Sequence, residues 1–364
     1  MDVLVSEPSS TSEVAVAEHC AECGEDLVTG AGFCEACGAP TGQPAAVPAA
    51  APPTSPDPDE LGAPATPAPA RACERCSAEV GPDDYCTGCG VRSLGPVLVD
   101  DRGRSAFATH RGVRHPRNED AAALATTAEG WPVLVVADGV SASPNPHLAA
   151  AAAVQAAVAR LGGRAFDDPA AAIAAAVADA HAAACAVPAD TDPSWPADGS
   201  HPACTIVVAV ATPDALHLAN VGDARGYAIR RDGAGALRSE QLTTDDSVAA
   251  KAVAEGIPID QALQIPGGHA ITGWLGADAP TPAPHLATSA VGTDDLLLVC
   301  SDGLWNYAPT GDELDALLAT VVETTTGAGW MGPTCERLVR WSIDQGGADN
   351  ICVALTPISQ EDPT

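Results

Sequence analysis

The stretch Leu296-Leu297-Leu298-Val299-Cys300-Ser301-Asp302-Gly303-Leu304-Trp305 decides how the chain is read. An unbroken apolar run of this length, with a serine, an acid and a glycine behind it, reads as a buried strand that ends on a carboxylate. The glycine lets the backbone turn tightly or approach another segment closely. The same device recurs at Val133-Leu-Val-Val-Ala-Asp138-Gly139, and a weaker copy stands at Leu216-His-Leu-Ala-Asn-Val-Gly222-Asp223. Three strands that each deliver an aspartate at the C-terminal end point to one shared acidic site.

Two further clusters extend the pattern. Arg111-Gly-Val-Arg114-His-Pro-Arg117-Asn118-Glu119-Asp120 sets bases directly before two carboxylates, and Gly346-Gly-Ala-Asp349-Asn350 leads into the last apolar run. Carboxylates gathered in one place repel, and burying each unpaired costs several kcal/mol. Divalent cations resolve the conflict. Glu119, Asp138, Asp302 and Asp349 would balance two of them, and all-oxygen ligation suits Mg²⁺ or Mn²⁺. Two such ions can lower the pKa of a shared water and aim it at phosphorus.

The chain has 364 residues, 46% of them hydrophobic and only 3% aromatic, so a large core built from Val, Ala and Leu is expected. Its formal charge of −31 argues against nucleic acid or an anionic membrane as partner, because phosphate backbones select basic surfaces. No secretory signal is visible in residues 1–12, and no apolar run reaches the roughly 18 residues that a membrane span needs. A cytoplasmic protein with reduced thiols is expected. Strands are predicted at 132–137, 205–211, 215–220, 225–230, 295–300 and 351–356, and helices at 147–161, 168–186, 247–255, 312–323 and 332–344. The mixture lacks a clean β-α-β alternation and reads as α+β layers.

Eight of the 13 cysteines form four Cys-x-x-Cys pairs: Cys20/Cys23, Cys34/Cys37, Cys73/Cys76 and Cys86/Cys89. Each set of two pairs offers four thiolates, the tetrahedron that a structural Zn²⁺ prefers, with no position left open for chemistry. Segments this short cannot build a core, so the metal would hold the fold. Disulfides or a redox pair are the alternatives, disfavoured by the reducing compartment. The segments resemble zinc ribbons, a structural or docking module. The organisation expected is a disordered tail at 1–16, one ribbon at 17–40, a Pro/Ala-rich linker at 41–70, a second ribbon at 71–92 and a catalytic domain at 97–358. Cys185, Cys204, Cys300, Cys335 and Cys352 read as buried structural thiols.

The ordered set Asn118-Glu119-Asp120, Asp138-Gly139, Gly222-Asp223-Ala-Arg225, Ser301-Asp302-Gly303, Asp349-Asn350 resembles the metal-dependent protein phosphatase family of type 2C, over about residues 100–357. The resemblance implies two central antiparallel sheets flanked by helices, a four-layer α-β-β-α sandwich. It implies hydrolysis of phosphoserine or phosphothreonine on proteins, with two Mn²⁺ or Mg²⁺ ions and a metal-bridging water that attacks directly. Asp138 would bridge the ions, Asp302 and Asp349 would complete one site, Glu119 and the Gly139 carbonyl the other, and Asp120 would orient water.

An arginine ahead of Asn-Glu-Asp would bind the phosphate. The family's usual position holds His115 here, leaving Arg114 and Arg117 on either side of it. The glycine-rich turn common after Asp-Gly is replaced by Val140-Ser-Ala-Ser-Pro-Asn-Pro146, Asn306 stands where an acid is frequent, and Asp246 where histidine is frequent. Asp223 and Arg225 read as a structural ion pair, and His115, His147 and His201 as solvent or core histidines. The expected partners are phosphoproteins and a cognate bacterial serine/threonine kinase system. The competing reading is a catalytically weak phosphatase-fold module that acts by binding through its ribbons.

Overall fold

The computed structural model describes residues 72–73, 76–81, 85–90, 93–189, 200–279, 281–292, 294–322 and 329–358. The tail at 1–16, the first ribbon with Cys20, Cys23, Cys34 and Cys37, and the linker at 41–70 lie outside the described residues.

The chain begins its sheets with β1 (Leu98–Asp101), β2 (Ala106–His110), β3 (Ala121–Thr126) and β4 (Pro132–Ala137). Two helices follow, α1 (Pro146–Leu161) and α2 (Pro169–Cys185). Next come β5 (Ala203–Cys204), β6 (Ile206–Ala211), β7 (Ala215–Val221), β8 (Arg225–Arg231) and β9 (Leu237–Gln241). An excursion carries α3 (Val248–Ala254), α4 (Ile259–Ala262) and β10 (Leu275–Gly276). The remainder is β11 (His285–Ala290), β12 (Leu296–Cys300), α5 (Asp302–Trp305), α6 (Gly311–Val321), α7 (Met331–Asp344) and β13 (Ile351–Pro357).

Two antiparallel sheets result, a six-stranded one ordered β1-β2-β13-β12-β8-β9 and a five-stranded one ordered β11-β7-β6-β4-β3. Strands β4, β6 and β12 are buried at every position, which is why their sequences are continuous apolar runs. Three apolar layers hold the sandwich. Leu134, Val136, Val207, Leu218, Leu297 and Val299 fill the space between the sheets. Val133, Val135 and Val208 pack against the Ala stripe of α1 and α2. Leu298, Ile351 and Val353 pack against Leu314, Leu318, Leu338 and Val339 of α6 and α7. The order is helix, sheet, sheet, helix, the four layers that the resemblance implied.

Local chemistry sets the helix ends. Pro169 opens α2 behind Asp168, whose carboxylate accepts the Ala171 amide. Thr310 and Glu313 close a reciprocal capping box on α6, worth about 1 kcal/mol. Alanines at 149, 150, 153 and 157 on α1 face Ala176 and Ala180 of α2, so small side chains let these helices approach closely.

Strands β1, β2, β3, β9 and β11 and the two-residue β5 and β10 fall outside the predicted strands. Alanine-rich β3 and β11 lie at the edges of the five-stranded sheet, and β9 at an edge of the other, where pairing with one neighbour overrides weak intrinsic preference. Among the described residues, no helix is long and apolar enough to cross a membrane.

Candidate active site

Each acid enters from the end of a strand. Asp138 follows β4, and its backbone is pinned to Thr205: the Thr205 amide donates to the Asp138 carbonyl at 2.7 Å. A Cβ on Gly139 would stand 2.9 Å from the Glu119 carbonyl and 2.8 Å from Pro146 Cβ, so only glycine lets β4 exit against the loop carrying Glu119. Asp302 starts α5 directly after β12. A Cβ on Gly303 would meet the Asn350 carbonyl at 1.9 Å, which explains why the quoted stretch needs glycine there. Asp349 leads into β13. Gly112, at φ +70°, passes against the Asp349 carbonyl and interlocks the loop after β2 with the loop before β13.

Asn350 is the hub of these loops. Its Nδ2 donates to the carbonyls of Arg111 (2.9 Å) and Arg117 (3.0 Å), and its Oδ1 accepts the Glu119 amide at 2.7 Å. The Glu119 side chain accepts from Ser141 Oγ at 2.8 Å. Asp120 is buried and accepts from Ser301 Oγ at 2.7 Å. Asn306 Nδ2 donates to Asp302 Oδ2 at 2.9 Å.

Burial and mutual repulsion dominate the electrostatics of the cluster. Asp138 and Asp302 keep partial access to the surface, yet desolvation pushes both well above the usual carboxylate range. Neighbouring acids add to it: Asp120, Asp302 and Asp349 around Asp138, and Asp349, Asp223 and Asp120 around Asp302. Burial raises Asp120 to about 7 against the help of Ser301. Desolvation also raises Glu119, opposed by the Ser141 hydrogen bond.

Oδ1 of Asp120 and Oδ1 of Asp302 are buried without a hydrogen-bond partner. Buried acceptors left unmet are costly, and divalent cations are the ligands that hard carboxylate oxygens with no donors select. The residues therefore fit Mn²⁺ or Mg²⁺. Their oxygens are spread more widely than the cysteine thiols, which form the one group among the described residues drawn within 4.8 Å of each other.

That thiol group is Cys73, Cys76, Cys86 and Cys89. The Cys89 and Gly88 amides point at Cys86 Sγ, at 3.4 and 3.3 Å, and lower its thiol to about 6, chiefly through the Cys89 amide. Backbone amides aimed at one sulfur and a four-sulfur cluster fit Zn²⁺. Cys204, Cys300, Cys335 and Cys352 are buried, and burial raises all four thiols, which leaves them inert; Cys185 is partly exposed at the end of α2.

Other side chains differ from expectation. His115 is neither a core nor a free solvent histidine: its Nε2 lies 3.3 Å from Asp349 Oδ1. Arg114 and Arg117 are both exposed; Arg117 faces His147 at the start of α1, and its charge makes a minor contribution at Glu119. Arg225 pairs with Asp245 at 2.7 Å, not with Asp223, and lies 3.6 Å over the Trp305 ring. Asp223 is buried beside them and raised to about 7, first by burial and then by Asp245. Both residues stand in motifs of the sequence, but the contact of His115 with Asp349 and the Asn350 hub were not legible there, because their partners are remote in the chain.

Fold and site together define a two-sheet sandwich whose strand ends converge on a carboxylate cluster. The protein phosphatase 2C family matches residues 108–341, and the double zinc ribbon family matches residues 20–90. The chain belongs to the protein phosphatase 2C family.

Among curated proteins it is 30% identical over 152 residues to the serine/threonine phosphatase stp of Listeria monocytogenes, covering 42% of this chain and 55% of that protein. It is 29% identical over 157 residues to the protein phosphatase PhpP of Streptococcus pneumoniae, covering 43% and 58%. The chain thus spans under two thirds of the length of these relatives. The Mycobacterium smegmatis phosphatase MsPP, solved with cacodylate, is 27% identical at TM-score 0.54, covering 69% of this chain and 97% of that one. The catalytic domain of the phosphatase PstP, solved with two manganese ions, is 25% identical at TM-score 0.54, covering 72% and 99%.

Proposed function

We propose that the chain is a metal-dependent protein serine/threonine phosphatase, with residues 97–358 as its catalytic domain. The observation that carries this reading is the pair of buried, unpartnered oxygens on Asp120 and Asp302 within a ring of acids raised by desolvation. Asp138 would hold two ions in common, Asp302 and Asp349 one of them, and Glu119 with the Gly139 carbonyl the other. Bound Mn²⁺ or Mg²⁺ would supply an acidified water and neutralise charge on the phosphoryl oxygens.

The protein's own groups do the rest. Asp120, which accepts from Ser301 Oγ, would orient the water. Ser141 Oγ donates to Glu119 Oε2 at 2.8 Å and would help orient that carboxylate. Arg114 or Arg117 would pair with the phosphate, and the charge of Arg117 on Glu119 favours Arg117. The two cysteine segments would carry one structural Zn²⁺ each and serve docking. Phosphoproteins of a kinase system in the cytoplasm are the substrates this reading expects.

The test is hydrolysis of a phosphothreonine peptide by the full chain with Mn²⁺, with Mg²⁺ and with neither. Rates that require the added ion support the proposal. A folded, Mn²⁺-loaded chain that releases no phosphate overturns it.

A further inference from the structure

The segment leaving the second cysteine cluster is hydrogen-bonded to the base of the acidic site, through Arg111. Its Nη2 donates to the Ser93 carbonyl at 3.1 Å, and its Nε reaches the Leu94 carbonyl at 3.4 Å. On the other side, Nη1 donates to the His115 carbonyl at 3.1 Å, inside the loop that ends in Glu119. The guanidinium thus spans two chain segments with a fork that a lysine ammonium cannot reproduce.

His110 reinforces the same junction. Its Nδ1 accepts the Gly112 amide at 3.0 Å, which leaves Nε2 to donate to the Leu94 carbonyl, also at 3.0 Å. Ser93 lies shortly after Cys89, the last thiol of the cluster. The loop between Gly112 and Glu119 carries no sheet pairing of its own. Asn350 holds its ends, Arg111 and the Val113 amide, which donates to the Gly347 carbonyl at 2.7 Å, hold its middle, and Asn118 Nδ2 donates to Thr109 Oγ1 at 2.9 Å.

We propose that Arg111 is a positioning residue that transmits the order of the Cys73–Cys89 cluster to the Glu119 loop, so that whatever loads or engages this cluster tunes the acidic site. The guanidinium cannot keep both sets of acceptors if the 93–94 segment moves away, and the His115 carbonyl then loses its donor. His115 also reaches Asp349, so the displacement extends to a second acid. The proposal rests on the phosphatase reading only for its consequence on catalysis; the mechanical coupling stands without it.

The test measures amide hydrogen exchange at 112–119 and Mn²⁺ affinity in four full-length forms. These are the wild type, Arg111→Ala, Cys86→Ser with Cys89→Ser, and the combination. Each change alone is expected to speed loop exchange and weaken Mn²⁺ binding by about tenfold, the scale for groups that orient metal ligands. The combination is expected to be no worse than Arg111→Ala alone, with exchange in α1 unchanged throughout. Arg111→Lys, which keeps the charge and the fold but not the fork, is expected to match Arg111→Ala in loop exchange. Coupled exchange in a chain without phosphatase activity supports the coupling and counts only against the functional reading. Unchanged loop exchange in the cysteine variant, or effects that multiply in the combination, overturn the proposal.

Discussion

Asn350 Oδ1 accepts the backbone amide of Glu119 at 2.7 Å, although the two residues lie 231 positions apart. The same side chain donates to the carbonyls of Arg111 and Arg117. One buried amide therefore fixes the loop that presents Glu119, and its neighbour Asp349 presents a second acid. Asn350→Ala is expected to weaken Mn²⁺ binding by about 10–100-fold, the range for partners that orient ligands. It is expected to cost at least about 1–3 kcal/mol of stability, the scale for a single buried group left unmet. Isothermal titration and thermal unfolding check the two effects. Unchanged Mn²⁺ affinity would remove Asn350 from the site.

The carboxyl shifts make a signed prediction about pH. Asp138, Asp302 and Asp120 all have folded values raised above the unfolded ones. Their contribution to metal-free stability is thus fully present below the unfolded value of about 4 and is lost as pH rises through the folded values, about 7 for Asp120. The stabilisation gained on adding Mn²⁺ is expected to be larger at pH 8 than at pH 5.5, because at pH 5.5 protons compete for the same oxygens. Asp120→Asn is expected to flatten this difference. Unfolding temperatures at the two pH values, with and without Mn²⁺, provide the check, and a gain larger at pH 5.5 would contradict the reading.

Gly303→Ala places a methyl group against the Asn350 carbonyl, at 1.9 Å before relaxation. Neither partner is a flexible side-chain tip, so α5 or the start of β13 must shift. The expected loss is at least about 3 kcal/mol of stability, comparable with severe core overpacking. Denaturant unfolding measures it; a loss below about 1 kcal/mol would show that the two segments yield easily.

The cysteine clusters predict metal content. The purified chain is expected to carry two Zn²⁺ ions, and Cys86→Ser with Cys89→Ser to lose one, leaving the far-ultraviolet circular dichroism of the sandwich unchanged. Zinc analysis by mass spectrometry tests this. Full retention of zinc in the variant would place the metal elsewhere.

The layers were legible where burial is two-sided. Strands β4, β6, β12 and β13 announce themselves as apolar runs, and the acids flanking β4, β12 and β13 mark the site. Edge strands such as β11, with alternating exposure and the sequence His-Leu-Ala-Thr-Ser-Ala, do not, because their pairing energy comes from a neighbour remote in sequence. The same limit hid the roles of His115 and Asn350. A histidine 3.3 Å from Asp349, or an amide that ties Arg111, Arg117 and Glu119 together, is a property of loops meeting in space. Arg225 was paired in sequence with its neighbour Asp223, whereas antiparallel pairing of β8 with β9 brings the more distant Asp245 to it.

The central claim is that the strand-end carboxylates form a single centre for two divalent ions. Mn²⁺ titration of the zinc-loaded chain, followed by electron paramagnetic resonance at pH 7.5, tests it most directly, with Asp138→Asn beside the wild type. Two bound Mn²⁺ ions with spin coupling between them, lost on removing the Asp138 charge, is the predicted result. A single uncoupled ion, or binding that survives Asp138→Asn intact, would contradict the account.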